Sequence, residues 1–353
     1  MKILQIMPEY GLAGAEIMSE NLCYGLKKQN HDVIIVSFFH LETPIIERLV
    51  SNGFKVLFLD KKPGFDCSVI KKLRMIFKSE KPDIVHTHRY VLPYVYLASI
   101  GYAHKIVHTV HNVASKEVGR KQQIIQYFIL RSRKVTPVTI SPRVKESFLV
   151  RYKLKNKQIP IIYNGIDIDR FEKKANYDLH NGGTILHIGR FSRQKNHIRL
   201  IDAFKLVKAV HPQSRLQLIG SGDLEQSIIE YVKTNELADS VEFLGLKDDV
   251  RPYLYNADVF VLSSDYEGMP ITIIEAMATG LPIVSTEVGG VPDMIHDQTS
   301  GYLVSLSSDE LSIALIDLLN SKKLRNQLGD NAKIDSNTFS LSTMTNNYLD
   351  VYR

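Results

Sequence analysis

Short apolar runs alternate with longer amphipathic ones along this chain, and the alternation happens twice. KILQIM, DVIIVSF, KVLFL, DIVH, KIVHTV and VTPVTI are brief and rich in Val and Ile. Such runs read as strands buried on both faces of a parallel sheet. Between them, AEIMSENLCYGLKKQ, CSVIKKLRMIFKSE and KQQIIQYFILRSR repeat their apolar residues at helical spacing. Strand, helix and strand in succession predict a doubly wound α/β sheet. Between residues 165 and 183 the pattern lapses into the polar stretch IDIDRFEKKANYDLHNGG, and then it restarts. TILHIG, RLQLIG, VEFLG, DVFVLSS and LPIVST are the second set of strands. NHIRLIDAFKLVKAV, DLEQSIIEYVKTNEL and the run through IIEAMATG are helices. The reading is therefore two α/β domains, 1–165 and 166–338, facing each other. The expected ligand cleft lies at the carboxyl ends of both sheets, where open α/β sheets bind ligands.

Composition changes this picture in two respects. The net charge of +6 conceals an asymmetry: residues 1–160 hold 26 Lys and Arg against 12 Asp and Glu, and the remainder holds 18 against 26. The basic half faces nucleic acid, anionic lipid headgroups or a phosphorylated acceptor, or else is a solvated surface. No aromatic stripe accompanies the basic residues, which argues against nucleic acid. Secondly, no run of about eighteen uncharged apolar residues is present to span a bilayer. MKILQIMPEYGLAGAE reads as a strand and turn rather than a signal peptide. Cys23 and Cys67 have no ligand-like spacing and are expected to be buried free thiols, in keeping with a reducing cytoplasm.

The candidate chemistry gathers where predicted strands end. In DYEGMPITIIEAMATGLPIVSTEVGG, residues 265–290, Glu267 precedes a Gly-Met-Pro turn and Glu275 lies eight residues further on. Pro270 is suited to the first position of a helix. The free N–H groups of that helix end would attract an anion. A phosphate beside two carboxylates that accept from hydroxyls suits a sugar phosphate, whereas the plainer reading is a capped helix with a surface glutamate. HIGRFSRQKNH places Arg190, Arg193 and Lys195 at another strand end, before a helix capped by Asn196. Cations in that position suit a diphosphate, or a solvated basic loop. Gly11 and Gly14 form a turn after the first strand. His86 and His88 end one strand, and His108 and His111 the next, as core or sugar-contacting residues rather than metal ligands. Asp167 and Asp169 spell a DxD triplet that could hold Mg²⁺ or Mn²⁺ but reads better as a turn and helix-cap signal. Asp248 and Asp249 read as a helix cap.

Taken in order, AGAE, KPDIVHTH, TVHN, ISPRVKESF, YNGIDIDRF, HIGRFSRQKNH, LIGSGDLE, VEFLG, the 257–295 segment and GYLV resemble the GT-B glycosyltransferases of the large retaining group called family 4. The resemblance covers nearly the whole chain. It implies transfer of a sugar from a nucleotide diphosphate donor, a UDP-sugar foremost, to a hydroxyl with retention of configuration and no metal or other cofactor. Arg190 and Lys195 would neutralise the diphosphate. Gly268, Met269 and Ile271 would offer backbone amides, and Gly14 would let the first loop approach the phosphate. Glu275 would hold the ribose, while Leu244 and Gly245 pass the base. Glu267 and His111 would act on the donor sugar. Segment 339–353 would form a helix returning to the first domain. Ala13 stands where the family often has a glycine, and alanine resists a positive φ. The basic segments 116–123, 131–134 and 143–157 are consistent with peripheral docking on the inner face of the cell membrane. A glycan or lipid-linked acceptor of surface polysaccharide assembly (capsule, O-antigen or exopolysaccharide) would follow. Rival readings are a nucleotide-sugar epimerase of the same fold and a non-catalytic glycan-binding subunit.

Overall fold

The computed structural model describes residues 1–154, 158–180 and 182–353. It divides into two compact units, one of Met1–Ile166 with Leu341–Arg353, the other Asp167–Ser340. The basic stretch expected over 143–157 runs beyond the described residues at 155–157.

In the first unit, β1 (Lys2–Met7), β2 (Asp32–Ser37), β3 (Lys55–Phe58), β4 (Ile84–His88), β5 (Lys105–Val110) and β6 (Val135–Thr139) form one parallel sheet. Its order is β3-β2-β1-β4-β5-β6. In the second, β7 (Thr184–Ile188), β8 (Arg215–Ile219), β9 (Val241–Gly245), β10 (Val259–Leu262), β11 (Ile283–Thr286) and β12 (Tyr302–Val304) run β12-β11-β10-β7-β8-β9. Read from the opposite edge, this is the same order. Each sheet reverses its winding between its first and fourth strands, β1 beside β4 and β7 beside β10. Those reversals are where ligands settle in open α/β sheets, because the connections diverge there and leave a crevice.

The central strands are buried along nearly their whole length, and the polar residues within them, Gln5, His86, Thr87, His88, His108 and His187, are buried with them. Helix starts follow side-chain chemistry. Thr43, Asp66, Ser141, Asn196, Ser307 and Ser321 each accept a hydrogen bond from a backbone N–H in the first turn. Helix Leu341–Tyr352 lies against helix Gly14–Lys28. A Cβ on Gly25 would come within 2.0 Å of Thr345 Oγ1, so glycine is what lets the two helices approach.

Three local expectations need correction. Cys23 is buried, but Cys67 opens helix Cys67–Glu80 and is exposed. Pro270 caps helix Ile271–Thr279 from outside, with φ −70° and ψ 120°, instead of beginning it. Asp167 precedes a 3-10 turn, Ile168–Arg170, without capping it through its side chain.

Candidate functional site

In the second unit the site grows from the winding reversal at β7 and β10. Beyond β7 the chain turns through Gly189 and Arg190. Gly220, after β8, lies so near that a Cβ would sit 2.1 Å from Gly189 O, and its φ of +142° is open only to glycine. Beyond β10, residues 263–270 fold back over the loop that follows β7. Ser263 Oγ donates to Lys195 O (2.9 Å), Asp265 N to Gln194 O (2.8 Å) and Gln194 Nε2 to Tyr266 O (3.0 Å). Two segments about seventy residues apart in sequence are thereby stitched side by side.

Glu267 lies in this seam and is only 5% exposed. Lys195 Nζ meets its Oε1 at 2.7 Å, Ser264 Oγ donates to the same oxygen at 2.6 Å, and Gln194 Nε2 reaches Oε2 at 3.3 Å. Sequence reasoning assigned Lys195 and Glu267 to separate groups of a ligand. The structure joins them as a mostly buried ion pair, and a buried charge requires such compensation. The glycine pair downstream has a matching cause. Gly289 (φ +58°) packs so that a Cβ would fall 1.7 Å from Glu267 O, and Gly290 N donates to Gly268 O at 2.9 Å. The turn bearing Glu267 is thus clamped from behind by backbone alone.

Helix Ile271–Thr279 begins just past this turn. No side chain caps it, and Ile273 N bonds back to Pro270 O (3.2 Å). Thr272 Oγ1, in its first turn, is buried without a partner among the described residues. An uncapped helix end carries partial positive charge and unsatisfied N–H groups. Met269 and Ile271 are buried there. Arg190 is exposed and, among the described residues, is held by a 3.7 Å pair with Asp223 alone, a contact weak enough to let it reorient.

Glu275 sits one turn along the same helix, partly accessible at its surface yet enclosed by protein. Burial, with Asp249 adding repulsion, pushes its carboxyl up to about 8. Its carboxylate has no hydrogen-bond partner among the described residues. Leu244 and Gly245 close β9 at the edge of the same sheet, with Gly245 at φ +68° accepting from Gly220 N (3.0 Å). Asp249 accepts from Arg251 N (3.0 Å) at the head of helix Arg251–Asn256. Sequence reasoning missed Ser264 and Gln194 because Ser and Gln carry no motif signal. It also missed His187, which is buried behind Gly189 with Nδ1 on Val261 O (2.9 Å).

The first unit presents His111 at the end of β5. His111 is half-buried, with Nε2 2.9 Å from His88 Nδ1. Burial, helped by the neighbouring Arg89 and His108, holds its imidazole down to about 3. His86, His88 and His108 are fully buried core residues. Glu117 accepts from His111 N (3.1 Å), and burial raises it to about 7. Arg89, at φ +55°, pairs with the buried Glu16 at 2.7 Å. Gly14 begins helix Gly14–Lys28, and a Cβ there would meet nothing within 4 Å. The concern over Ala13 dissolves, since Ala13 is extended (φ −127°) and no positive φ is asked of it. Among the described residues no group of three or more His, Cys, Asp or Glu side chains is arranged to hold a metal ion.

The glycosyl transferases group 1 family matches residues 169–335, and the Glycosyltransferase Family 4 description matches 12–170. An N-acetyl-alpha-D-glucosaminyl L-malate synthase from Bacillus anthracis is 32% identical over 77% of this chain and 74% of its own length. A UDP-Gal:alpha-D-GlcNAc-diphosphoundecaprenol alpha-1,3-galactosyltransferase from Escherichia coli is 28% identical over 76% of this chain and 74% of its own. Among solved structures, a Rickettsia africae glycosyltransferase superposes with a TM-score of 0.85 at 22% identity, covering 99% of this chain and 97% of that one. Anabaena HepE in complex with UDP gives 0.84 at 20% identity, covering 99% of each chain. These two likenesses establish the GT-B fold.

Proposed function

The chain belongs to the glycosyl transferases group 1 family, and from that premise we propose that it is a retaining enzyme moving a sugar from a UDP-sugar to a hydroxyl of a glycan or lipid-linked glycan. The observation that carries this reading is the uncapped start of helix Ile271–Thr279 beside the Lys195–Glu267 pair. An anion arriving there gains the helix N–H groups, and Lys195 exchanges a carboxylate for a phosphate partner. Glu267, relieved of Lys195, accepts from hydroxyls of the donor sugar. Gly268, Met269 and Ile271 offer backbone amides to the β-phosphate and sugar, Arg190 swings onto the diphosphate, and Gly14 leaves room for it. Glu275 takes the ribose hydroxyls, while Leu244 and Gly245 pass the base.

Stabilisation of the leaving diphosphate is the main catalytic contribution. The acceptor hydroxyl attacks from the face the phosphate leaves, and the departing phosphate assists removal of its proton. Glu267 stays engaged by Ser264 and Gln194 after Lys195 turns to the phosphate, which disfavours its use as a covalent nucleophile. His111 acts on the donor sugar.

UDP as the carrier is supported by the names of the Escherichia coli relative and the Anabaena complex. A diphosphoundecaprenol acceptor in the former supports a lipid-linked substrate and a place in surface polysaccharide assembly. The first unit carries a matching surface: Ile124 and Phe128, one turn apart on helix Arg120–Ile129, are 63% and 69% exposed beside Arg120, Lys121 and Arg131. Exposed apolar side chains on a helix that also carries Arg120 and Lys121 suit an anionic bilayer surface. Among the described residues no helix is long and apolar enough to cross a membrane. The malate named in the Bacillus anthracis relative supports a small soluble acceptor as the second reading.

A thermal-shift panel of UDP, GDP, ADP, dTDP, CMP and NAD, each with and without EDTA, tests the donor site. Stabilisation by UDP in both conditions is expected. Stabilisation by none, by NAD alone or only with metal present would overturn it. Liposomes with and without anionic lipid test docking, and equal association with both would remove the membrane element.

A further inference from the structure

The half-buried ring of His111 ends a chain of hydrogen bonds that begins on the C-terminal helix. Tyr352, in helix Leu341–Tyr352, places its hydroxyl 2.7 Å from His86 Nδ1 and 3.3 Å from Gln5 Nε2. Gln5 Nε2 also lies 3.2 Å from His86 Nδ1. The Gln5 amide is oriented with its NH2 toward Tyr352 and His86, and its carbonyl Oε1 toward His88 Nε2 at 3.0 Å. His88 Nδ1 meets His111 Nε2 at 2.9 Å. On the far side, His86 Nε2 is 2.7 Å from Thr109 Oγ1, which is 2.8 Å from Tyr348 OH. Gln5, His86, His88 and Thr109 are wholly inaccessible to solvent.

With the Gln5 amide in this orientation, donor and acceptor rules assign the protons. A carbonyl oxygen only accepts, so His88 Nε2 carries the hydrogen that it donates to Gln5 Oε1. Burial, reinforced by the other histidines, holds His88 and His86 well below the ordinary imidazole range, so each has one proton. His88 Nδ1 is consequently bare and accepts, and the donor facing it is His111 Nε2–H. His111 is itself neutral, so its Nδ1 keeps a lone pair. That Nδ1 is buried and has no partner among the described residues. An acceptor shielded from water without a donor is costly, and a ligand's donor is what relieves it.

We propose that Tyr352, acting through Gln5 and His88, is a positioning residue that holds His111 as its Nε2–H tautomer, with Nδ1 presented as an acceptor for a hydroxyl of the bound sugar. This rests on the glycosyltransferase reading for the identity of the ligand, but not for the tautomer. Recognition is then by a neutral acceptor that selects O–H donors, not by a cation that attracts phosphate. The C-terminal helix, distant in sequence, becomes part of the sugar site. An opposite orientation of the Gln5 amide would reverse the chain and leave His111 with Nδ1–H, a donor.

The test is long-range ¹H–¹⁵N NMR on the full chain labelled at histidine, with the His111 signals identified by their loss in His111→Asn. His111 is expected as the Nε2–H tautomer in the wild type. In Tyr352→Phe its ring nitrogens should shift toward a mixture of tautomers. Leu349→Ala, which loosens the same helix without touching the chain of bonds, should leave them unchanged. Nδ1–H in the wild type overturns the proposal, as does an unchanged His111 in Tyr352→Phe. A wild-type Nδ1–H signal is decisive whether or not a variant folds, and where Tyr352→Phe does not fold, Gln5→Leu, which removes the link between Tyr352 and His88, must shift the His111 nitrogens in its place. Under the transferase reading, Tyr352→Phe should also lower kcat by about tenfold, the effect of one displaced hydrogen bond, while leaving UDP affinity unchanged. Absence of transfer from every nucleotide sugar, together with the Nε2–H tautomer, would sink the functional reading and leave the positioning one standing.

Discussion

The two units hold their candidate groups in opposite ways. The second relies on charge: Lys195 against Glu267, an uncapped helix end, and a carboxyl at Glu275 that burial drives up to about 8. In the first, neutral hydrogen bonds do the work, running from Tyr352 to His111 through rings that burial keeps uncharged. The charged groups lie within two loops and one helix, at positions 190–195 and 267–275. The neutral ones come from positions 5, 86, 88, 109, 111, 348 and 352. A site that must meet an anion needs cations and free N–H groups, which a strand–loop–helix unit supplies locally. A site that must orient a single ring needs partners on several sides, and only packing can gather them.

The largest test of this contrast is Gly289→Ala. The new Cβ would collide with Glu267 O, and the residue would have to hold a positive φ. A loss of roughly 2–5 kcal/mol is expected from strain and overpacking, seen as a lower denaturant midpoint and lost UDP binding. A variant of normal stability would show that the clamp behind Glu267 is not rigid. Glu267→Gln comes next. Lys195 would be left largely buried and unpaired, costing about 3 kcal/mol in stability, and turnover should fall about a hundredfold or more, further than UDP affinity. Equal losses in turnover and affinity would reassign Glu267 to simple binding. Lys195→Ala should weaken UDP by about 1–3 kcal/mol, the range for a lost charge-assisted bond, measurable by calorimetry. Unaltered UDP affinity would remove Lys195 from the phosphate site.

The smallest effect concerns Glu275 and pH. Its folded pKa is raised, so the unfolded chain releases the proton first. Its contribution to stability is fully present below about 4.5, the ordinary carboxyl value, and is lost as pH rises through about 8. Glu275→Gln should therefore gain stability relative to wild type between pH 5 and 8 in denaturant melts. A difference that stays flat over that window would mean the carboxyl is not enclosed. Ribose hydroxyls donate best to the ionised form, so UDP binding by the wild type should also strengthen across the same window.

Much of the fold was legible because a parallel strand buried on both faces is mostly apolar and β-branched, and the eleven runs read as strands all lie in the two sheets. The twelfth, Tyr302–Val304, is too short and too exposed to announce itself. The candidate site was legible where cations and carboxylates cluster in sequence, as at Arg190, Lys195, Glu267 and Glu275. It was illegible where the partner is remote or chemically quiet. Ser264 and Gln194 look like loop residues, and nothing in QIMPEY marks Gln5 as the link between two histidines. Cys67 was misread because a thiol at a helix start is buried or exposed according to which way the helix faces.

Sequence alone determined the two-sheet architecture, the helix start capped by Asn196 and the residue types available at each strand end, because periodicity and capping act over a few neighbours. Only the tertiary structure decided that Lys195 pairs with Glu267, that Gly289 backs the turn, and that Tyr352 lies within a hydrogen bond of His86. Those contacts join segments 72, 22 and 266 residues apart, and no local pattern carries the geometry that closes such loops.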